Sequence, residues 1–378
     1  LDISVEEKSA DRAQANIGFT GEYGITGGGG VEFNNFRGLG QRLNLSFNTG
    51  TNYSVYQTPS KYRSVSLSFT DPMVMDTPNL VGFSVFYTFR GAATNYSFPL
   101  DFSMFGGSLS WGRRFRWPDD FFRGHWVLRG VQKEYSAESS TSTDLGPYEN
   151  LLGQISQGFN ITQVITRDSR NRPEFTTSGS RFSLETTISG GPLGGNEDFH
   201  KHVLNLEWFT PTFWKFVLMS SIKLGAIKPL QSSNKELSIV PFDEKFIMGG
   251  NGIPYGNMLR GYPDNSIGPL TTSGRPIGGS GMIKFTSEFR IPFSENPVVY
   301  GLVFGEMGNV WDTLDMTEPF GLTRTGPLSL KRSAGVGFRF FMPMLGMLGF
   351  DMGYGFDDIT GIGKPQGWTY TITFGQPF

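Results

Sequence analysis

The sequence contains no cysteine and no long apolar run. Its 378 residues therefore offer neither a disulfide framework nor a thiolate metal site. No stretch approaches the roughly 18 to 20 apolar residues of a membrane-spanning helix, so a bilayer could be crossed only by strands. The net charge is also small, since 32 Lys and Arg stand against 34 Asp and Glu. The basic residues are scattered along the sequence. We therefore exclude nucleic acid as a partner.

Glycine and aromatic residues are abundant instead. The chain has 51 Gly and 35 Phe, and 15% of its residues are aromatic. Gly-rich strands with aromatic rims are typical of transmembrane barrels. Apolar and polar residues also alternate strictly, which indicates strands with one face in an apolar medium and the other in a polar one. In the last such segment the threonines at 369, 371 and 373 interleave with Trp368, Tyr370, Ile372 and Phe374.

About sixteen segments alternate in this way, and an even number returns both termini to one side of the membrane, which we expect to be the periplasmic side. The segments are 15–26, 28–35, 41–49, 62–70, 80–90, 104–114, 124–136, 157–167, 180–189, 201–210, 215–227, 281–291, 298–311, 331–341, 346–356 and 367–376. Every second connection is short, and most of these carry proline, as tight turns do. We predict an all-β fold, a 16-stranded antiparallel transmembrane β-barrel of the bacterial outer membrane. A soluble β-sandwich or propeller is the alternative, because its strands alternate too.

The connection over residues 228–280 is far longer than the others. A structureless connection of about fifty residues is usually functional. It contains Leu259-Arg260-Gly261-Tyr262 and then Ile267-Gly268-Pro269. The order and spacing of these two motifs resemble the signature of the sixth extracellular loop of the BamA family. In that family this loop folds into the barrel lumen. An isolated Arg-Gly-Tyr would instead be a solvated turn.

The family's partner motif on the thirteenth strand is Phe-x-Asp-x-Gly, and residues 304–308 resemble it with Glu306 in place of Asp. Alternation puts Phe304, Glu306 and Gly308 on one face. A planar guanidinium can both bind a carboxylate and lie on a ring, so we expect Arg260 to contact Glu306 and Phe304. The partner motif predicted on the barrel wall comprises Phe304, Glu306, Gly308, Glu288 and Asp351.

The first and last predicted strands must meet to close the barrel. Glycine inside a strand weakens pairing, and Gly18, Gly21 and Gly24 all fall in the first predicted strand. Gly27 to Gly30 are interpreted as a flexible turn of the first hairpin. The sequence therefore predicts a weak seam, formed by Gly18, Gly21, Gly24, Tyr370, Ile372, Phe374, Gly375 and Phe378.

No catalytic constellation is apparent. The chain has three histidines, and His200 and His202 share a strand face without a third ligand nearby. Acidic residues alternate along the polar faces of strands, as they do in any water-filled barrel. We predict that the chain is not an enzyme and holds neither a metal nor a cofactor.

The resemblance to the BamA family covers nearly the whole chain and implies a function. It implies the central pore of the outer-membrane protein assembly machinery, which folds and inserts β-barrel precursors through the seam. Residues 1–12 would then be the end of a periplasmic POTRA region or linker, and 13–378 the barrel. Implied partners are unfolded outer-membrane protein clients, membrane lipid, accessory lipoproteins and periplasmic chaperones. The alternatives are a polypeptide-translocating pore of the same superfamily and a diffusion porin.

Overall fold

The computed structural model describes residues 11–20, 24–52, 60–91, 100–137, 152–172, 175–230, 240–252, 256–269, 278–312, 326–342, 346–359 and 363–374. The side chains of 14–20, 24–26, 51–52, 60 and 374 are excepted. Within these ranges no helix is long and apolar enough to cross a membrane.

Sixteen strands form one sheet in the described residues, and each strand is hydrogen-bonded to its neighbours in chain order. The strands are β1 Arg12–Thr20, β2 Gly24–Phe36, β3 Gln41–Asn52, β4 Ser60–Asp71, β5 Asn79–Arg90, β6 Asp101–Arg114, β7 Phe122–Ser136, β8 Ile155–Asp168, β9 Gly179–Ser189, β10 Phe199–Pro211, β11 Val217–Pro229, β12 Gly281–Glu295, β13 Val298–Trp311, β14 Lys331–Met342, β15 Gly346–Gly355 and β16 Gly367–Phe374. Residues of β1 and β16 come within 8 Å, Cα to Cα, so the sheet curves into a barrel. The predicted all-β class and sixteen antiparallel strands are confirmed.

The two faces of the sheet differ as the alternation predicts. On β6, Phe105 and Leu109 point outward and are 59% and 61% exposed, which would be unfavourable in water but is favourable in a bilayer. The inward face carries hydroxyls that bond across neighbouring strands, with 2.7 Å between the Oγ atoms of Ser46 and Ser66. An apolar exterior and a polar interior fit a barrel with lipid outside and water inside.

The first hairpin corrects the sequence analysis. β1 ends at Thr20 and β2 begins at Gly24, so Gly24 belongs to the second strand and not to the first. The run from Gly27 to Gly30 is not a turn but lies inside β2, paired with both β1 and β3. Gly30 serves close packing here, because a Cβ on it would lie 2.7 Å from the carbonyl oxygen of Leu45.

Buried apolar residues gather inside the barrel in clusters. The largest joins inward-facing residues of β10 to β13 with residues of the connection between β11 and β12. Its members are Phe199, Ile227, Val240, Phe246, Met248, Leu259, Tyr262, Ile267, Met282 and Val310. This cluster holds the described parts of the β11–β12 connection against the inner wall, and the candidate site lies beside it.

Candidate functional site

The β11–β12 connection folds back on itself before it reaches the wall. Isolated β-bridges join Met248 to Ile267 and Gly250 to Leu259. Leu259 and Met248 are fully buried, since each is 0% exposed. Because this apolar base is fixed, the next residue, Arg260, projects toward strands β12 to β15.

Arg260 is enclosed by three carboxylates. Its Nη2 lies 2.8 Å from Oε1 of Glu306 and 2.8 Å from Oε1 of Glu288. Its Nη1 lies 3.4 Å from Oδ1 of Asp351. The backbone N–H of Arg260 also donates to Oε2 of Glu306 at 2.8 Å. The structure thus brings together the arginine of the loop motif and the acidic residues of the predicted partner motif.

Phe304 lies beneath the guanidinium. The Cζ atom of Arg260 is 3.7 Å from the centroid of the Phe304 ring, which is a close cation–π contact. Phe304 and Glu306 both face inward on β13 and are 2% and 3% exposed. Gly308 continues this face, and a Cβ there would come 2.7 Å from the sulfur of Met248, so the loop and wall fit closely at this position.

Further cations surround the same carboxylates. Lys284 Nζ lies 3.0 Å from Glu306, Arg290 Nη2 lies 2.7 Å from Glu288, and Arg339 Nη2 lies 2.9 Å from Asp351. We call the seven residues the Arg260 cluster: Arg260, Lys284, Arg290, Arg339, Glu288, Glu306 and Asp351. Burial alone would lower the pKa of Arg260, but the charges of Glu306, Glu288 and Asp351 raise it. The guanidinium therefore stays charged, and buried charges are tolerated because they are paired and hydrogen-bonded.

Gly261 and Tyr262 fit against β14 and β15. Gly261 has a φ of +89°, a conformation that favours glycine. Its backbone passes so close to β15 that a Cβ on Gly353 would lie 2.7 Å from the nitrogen of Gly261. The hydroxyl of Tyr262 donates to the carbonyl of Arg332 at 2.7 Å. Burial raises the pKa of that hydroxyl to about 12, so it remains a donor.

The second half of the loop motif closes the turn. The N–H of Ile267 donates to the carbonyl of Met248 at 2.9 Å. Gly268 has a φ of +150° and a Cβ there would contact Val310 at 3.6 Å, while Pro269 is buried. These residues hold the turn in place.

Comparison with known families identifies the superfamily of the chain. The model of the Omp85 superfamily domain matches residues 35–376. The chain belongs to the Omp85 superfamily. The outer membrane protein assembly factor BamA of Nitratidesulfovibrio vulgaris is 29% identical over 227 residues, which cover 59% of this chain. The matched part of this Omp85 chain covers 26% of that relative, well under two thirds of its length.

Solved structures share the fold of this Omp85 barrel. BamA from Haemophilus ducreyi lacking POTRA domains 1–3 superposes with a TM-score of 0.76 at 18% identity, covering 98% of this chain and 71% of that one. CdiB from Acinetobacter baumannii gives 0.59 at 16% identity, covering 96% and 59%. CdiB from Escherichia coli gives 0.63 at 12% identity, covering 98% and 63%. The chain is an outer-membrane β-barrel of this superfamily.

The predicted seam residues are placed only in part. Gly18 pairs with Thr26 of β2, while Tyr370 and Ile372 of β16 pair with Met352 and Phe350 of β15. Phe374 ends β16. Gly21, Gly375 and Phe378 lie outside the described residues. No pairing register joins β1 to β16 over the described parts of the two strands, which are the ends of the sheet.

The histidine pair lies away from the Arg260 cluster. His200 Nδ1 is 3.2 Å from His202 Nε2, and His202 also contacts the hydroxyl of Thr186 at 3.0 Å. Across the described residues, no group of three or more His, Asp or Glu is arranged to hold a metal ion.

Sequence reasoning missed part of the Arg260 cluster. Lys284 and Arg290 fall in the polar set of β12, so the alternation already placed them inside the barrel. Arg339 faces inward on β14 and is 1% exposed. Nothing in the local pattern says which inward cations meet which carboxylates, because that depends on the register between strands.

Proposed function

We propose that this chain is the barrel domain of an outer-membrane protein assembly pore, which folds and inserts β-barrel precursors through an opening between β1 and β16. The observation that carries the proposal is that β1 and β16 approach each other without a pairing register in the described residues. The name and fold of the BamA relatives support it.

A seam of this kind has a physical consequence in lipid. Each unpaired backbone group in a bilayer costs several kcal/mol, so barrels normally have no edge. A seam that opens would offer its edges to an incoming strand, which could add to the sheet by β-augmentation. This function needs neither covalent chemistry nor a nucleotide.

Away from the seam, strands β12 to β15 are held by buried ion pairs. The Arg260 cluster ties the β11–β12 connection to strands β12, β13 and β15 through buried ion pairs, and Arg339 of β14 pairs with the same Asp351. Such a wall resists deformation, so opening would be concentrated at the seam. A pore that translocates polypeptides through its lumen is the alternative function, and it would require the anchored loop to move aside.

The proposal includes partners and orientation. Clients would be unfolded outer-membrane proteins delivered by periplasmic chaperones, with accessory lipoproteins bound to upstream POTRA domains. Both termini would face the periplasm, and the connection containing Arg260 would start from the extracellular side.

A disulfide across the seam tests the proposal, since the chain has no native cysteine. Cysteine pairs scanned between 16–20 of β1 and 369–373 of β16 should crosslink where Cβ atoms come within about 4.5 Å. In proteoliposomes the oxidised form should lose insertion of client barrels, and reductant should restore it.

The matched control joins β3 to β4. The Ser46 and Ser66 hydroxyls are 2.7 Å apart, so cysteines there should form a disulfide within an existing ladder and leave insertion unchanged. Normal insertion through a crosslinked seam would refute lateral opening and favour the translocation pore.

A further inference from the structure

A second group of buried charges holds another part of the β11–β12 connection. Residues Phe242–Glu244 form a 3-10 turn, and Oδ2 of Asp243 lies 2.8 Å from Nζ of Lys133 on β7. The same ammonium lies 2.9 Å from Oε1 of Glu197, in the connection between β9 and β10. Lys133 is 2% exposed, so this bridge is shielded from water.

The residues on either side of Asp243 also contact the wall. Oε2 of Glu244 accepts from Lys201 of β10 at 3.0 Å. Burial would raise the pKa of Glu244, but the charges of Lys201 and Lys133 lower it to about 2, so the carboxylate is ionised. Phe242 packs edge-on against Phe102 of β6, with 5.7 Å between ring centroids. This aromatic pair belongs to a buried apolar cluster that also contains Leu100, Met104, Val131 and Tyr135.

We propose that Lys133 is a positioning residue that docks the 3-10 turn on β7, so that the β11–β12 connection is anchored to the barrel at two separate places. The first anchor, at Arg260, lies on β12 to β15. The second lies on β6, β7 and β10. With both anchors in place, the connection bridges different parts of the inner wall. This inference does not depend on whether the barrel inserts clients.

The two anchors differ in what their release would leave behind. If Asp243 departs, Lys133 still pairs with Glu197, which is itself held by the hydroxyl of Ser156 at 2.9 Å. If Arg260 departs, three carboxylates lose a shared cation. Release of the turn breaks two ion pairs, Asp243 with Lys133 and Glu244 with Lys201, whereas release of Arg260 breaks three, so the turn is the easier anchor to release.

Hydrogen exchange resolved by peptide mass tests this on the purified barrel in nanodiscs. In Lys133→Met, exchange over 240–246 should rise about tenfold or more, while 257–268 should change less than about twofold. Asp243→Asn removes the same ion pair from the loop side and should give the same pattern. Arg260→Ala should raise exchange over 257–268.

Controls separate positioning from general damage. Lys215→Met removes a lysine whose ion pair with Glu295 is exposed, and it should leave both segments unchanged. Lys133→Arg keeps the charge and should restore most of the protection. Heat-modifiable migration in gels establishes whether each barrel is folded. If Lys133→Met does not fold, Asp243→Asn carries the test.

Single-channel recording gives an independent measurement. Lys133→Met should add partial-conductance openings that Lys215→Met lacks, because the turn leaves the lumen wall. The inference is overturned if 240–246 stays protected in folded Lys133→Met and Asp243→Asn. It is equally overturned if both segments lose protection together in these variants, because the connection would then have a single anchor.

Discussion

Arg260 donates to Glu306 from two places, because its guanidinium reaches Oε1 and its backbone N–H reaches Oε2, each at 2.8 Å. One contact fixes the side chain and the other fixes the chain itself. Glu306 therefore determines both where the loop lies and how it turns. The ring of Phe304 beneath the guanidinium removes the remaining freedom.

Removal of the guanidinium should destabilise the barrel strongly. Arg260→Ala leaves buried carboxylates without their shared partner, and we expect a loss of about 3 to 5 kcal/mol in the free energy of unfolding. Urea unfolding in vesicles, followed by tryptophan fluorescence, measures it. The control is Arg172→Ala, whose ion pair with Glu295 is 60% exposed and should therefore contribute little to stability. Similar losses in both variants would contradict the assignment.

Changes at Glu306 should follow a graded order. Glu306→Asp keeps the charge but shortens the side chain, so it should keep one of the two contacts with Arg260. Glu306→Gln keeps the length and loses the charge, and Glu306→Ala loses both. Charge-assisted hydrogen bonds are roughly twice as strong as neutral ones, so unfolding free energies should fall in the order Glu, Asp, Gln, Ala. A Gln variant as stable as wild type would show that the charge is unimportant here.

The barrel could be predicted from sequence because alternation is local. The polarity of each residue in a strand indicates which face of the sheet it occupies. Phe105 and Leu109 therefore identify the outer surface without knowledge of any partner strand. The prediction of a turn at Gly27 to Gly30 was wrong because it depended on contacts that the local sequence does not specify. Glycine is compatible with a turn and with a closely packed strand, and only the neighbouring Leu45 carbonyl distinguishes them.

The candidate site was predictable only where chemistry narrowed the choice. Arg260 could be matched to Glu306 and Phe304 because both motifs resemble those of a known family and because a guanidinium suits both a carboxylate and a ring. The contact between Lys133 and Asp243 could not be anticipated, because many lysines and aspartates face the interior. Their meeting depends on the path of a long connection across the barrel.

The close approach of two glycine backbones should be essential for the Arg-Gly-Tyr turn. A Cβ on Gly353 would lie 2.7 Å from the nitrogen of Gly261, and the backbone there has little room to move. Gly353→Ala should therefore displace the turn and cost about 1 to 3 kcal/mol, as overpacking does. Unfolding free energy and hydrogen exchange over 257–268 report it.

Gly305→Ala is the matched control for that substitution. A Cβ at Gly305 meets no atom within 4 Å, and the residue points outward on β13. Alanine there should be neutral or slightly stabilising, because glycine weakens a strand. Equal destabilisation at both positions would mean that the turn does not depend on the close approach.

Neighbouring residues on β10 allow the lipid-facing register to be tested within one strand. Leu206 lies in the outward row with Leu204 and Trp208, whereas Asn205 faces inward and donates to Glu207 at 2.8 Å. Leu206→Arg should destabilise the barrel by about 2 to 4 kcal/mol if it lies near the bilayer midplane. Asn205→Arg places the same charge in the polar interior beside a carboxylate and should cost much less. Refolding into vesicles at a series of urea concentrations measures both, and because the two positions are adjacent, differences in depth contribute little. Equal losses would mean that the two faces of β10 are not divided between lipid and water.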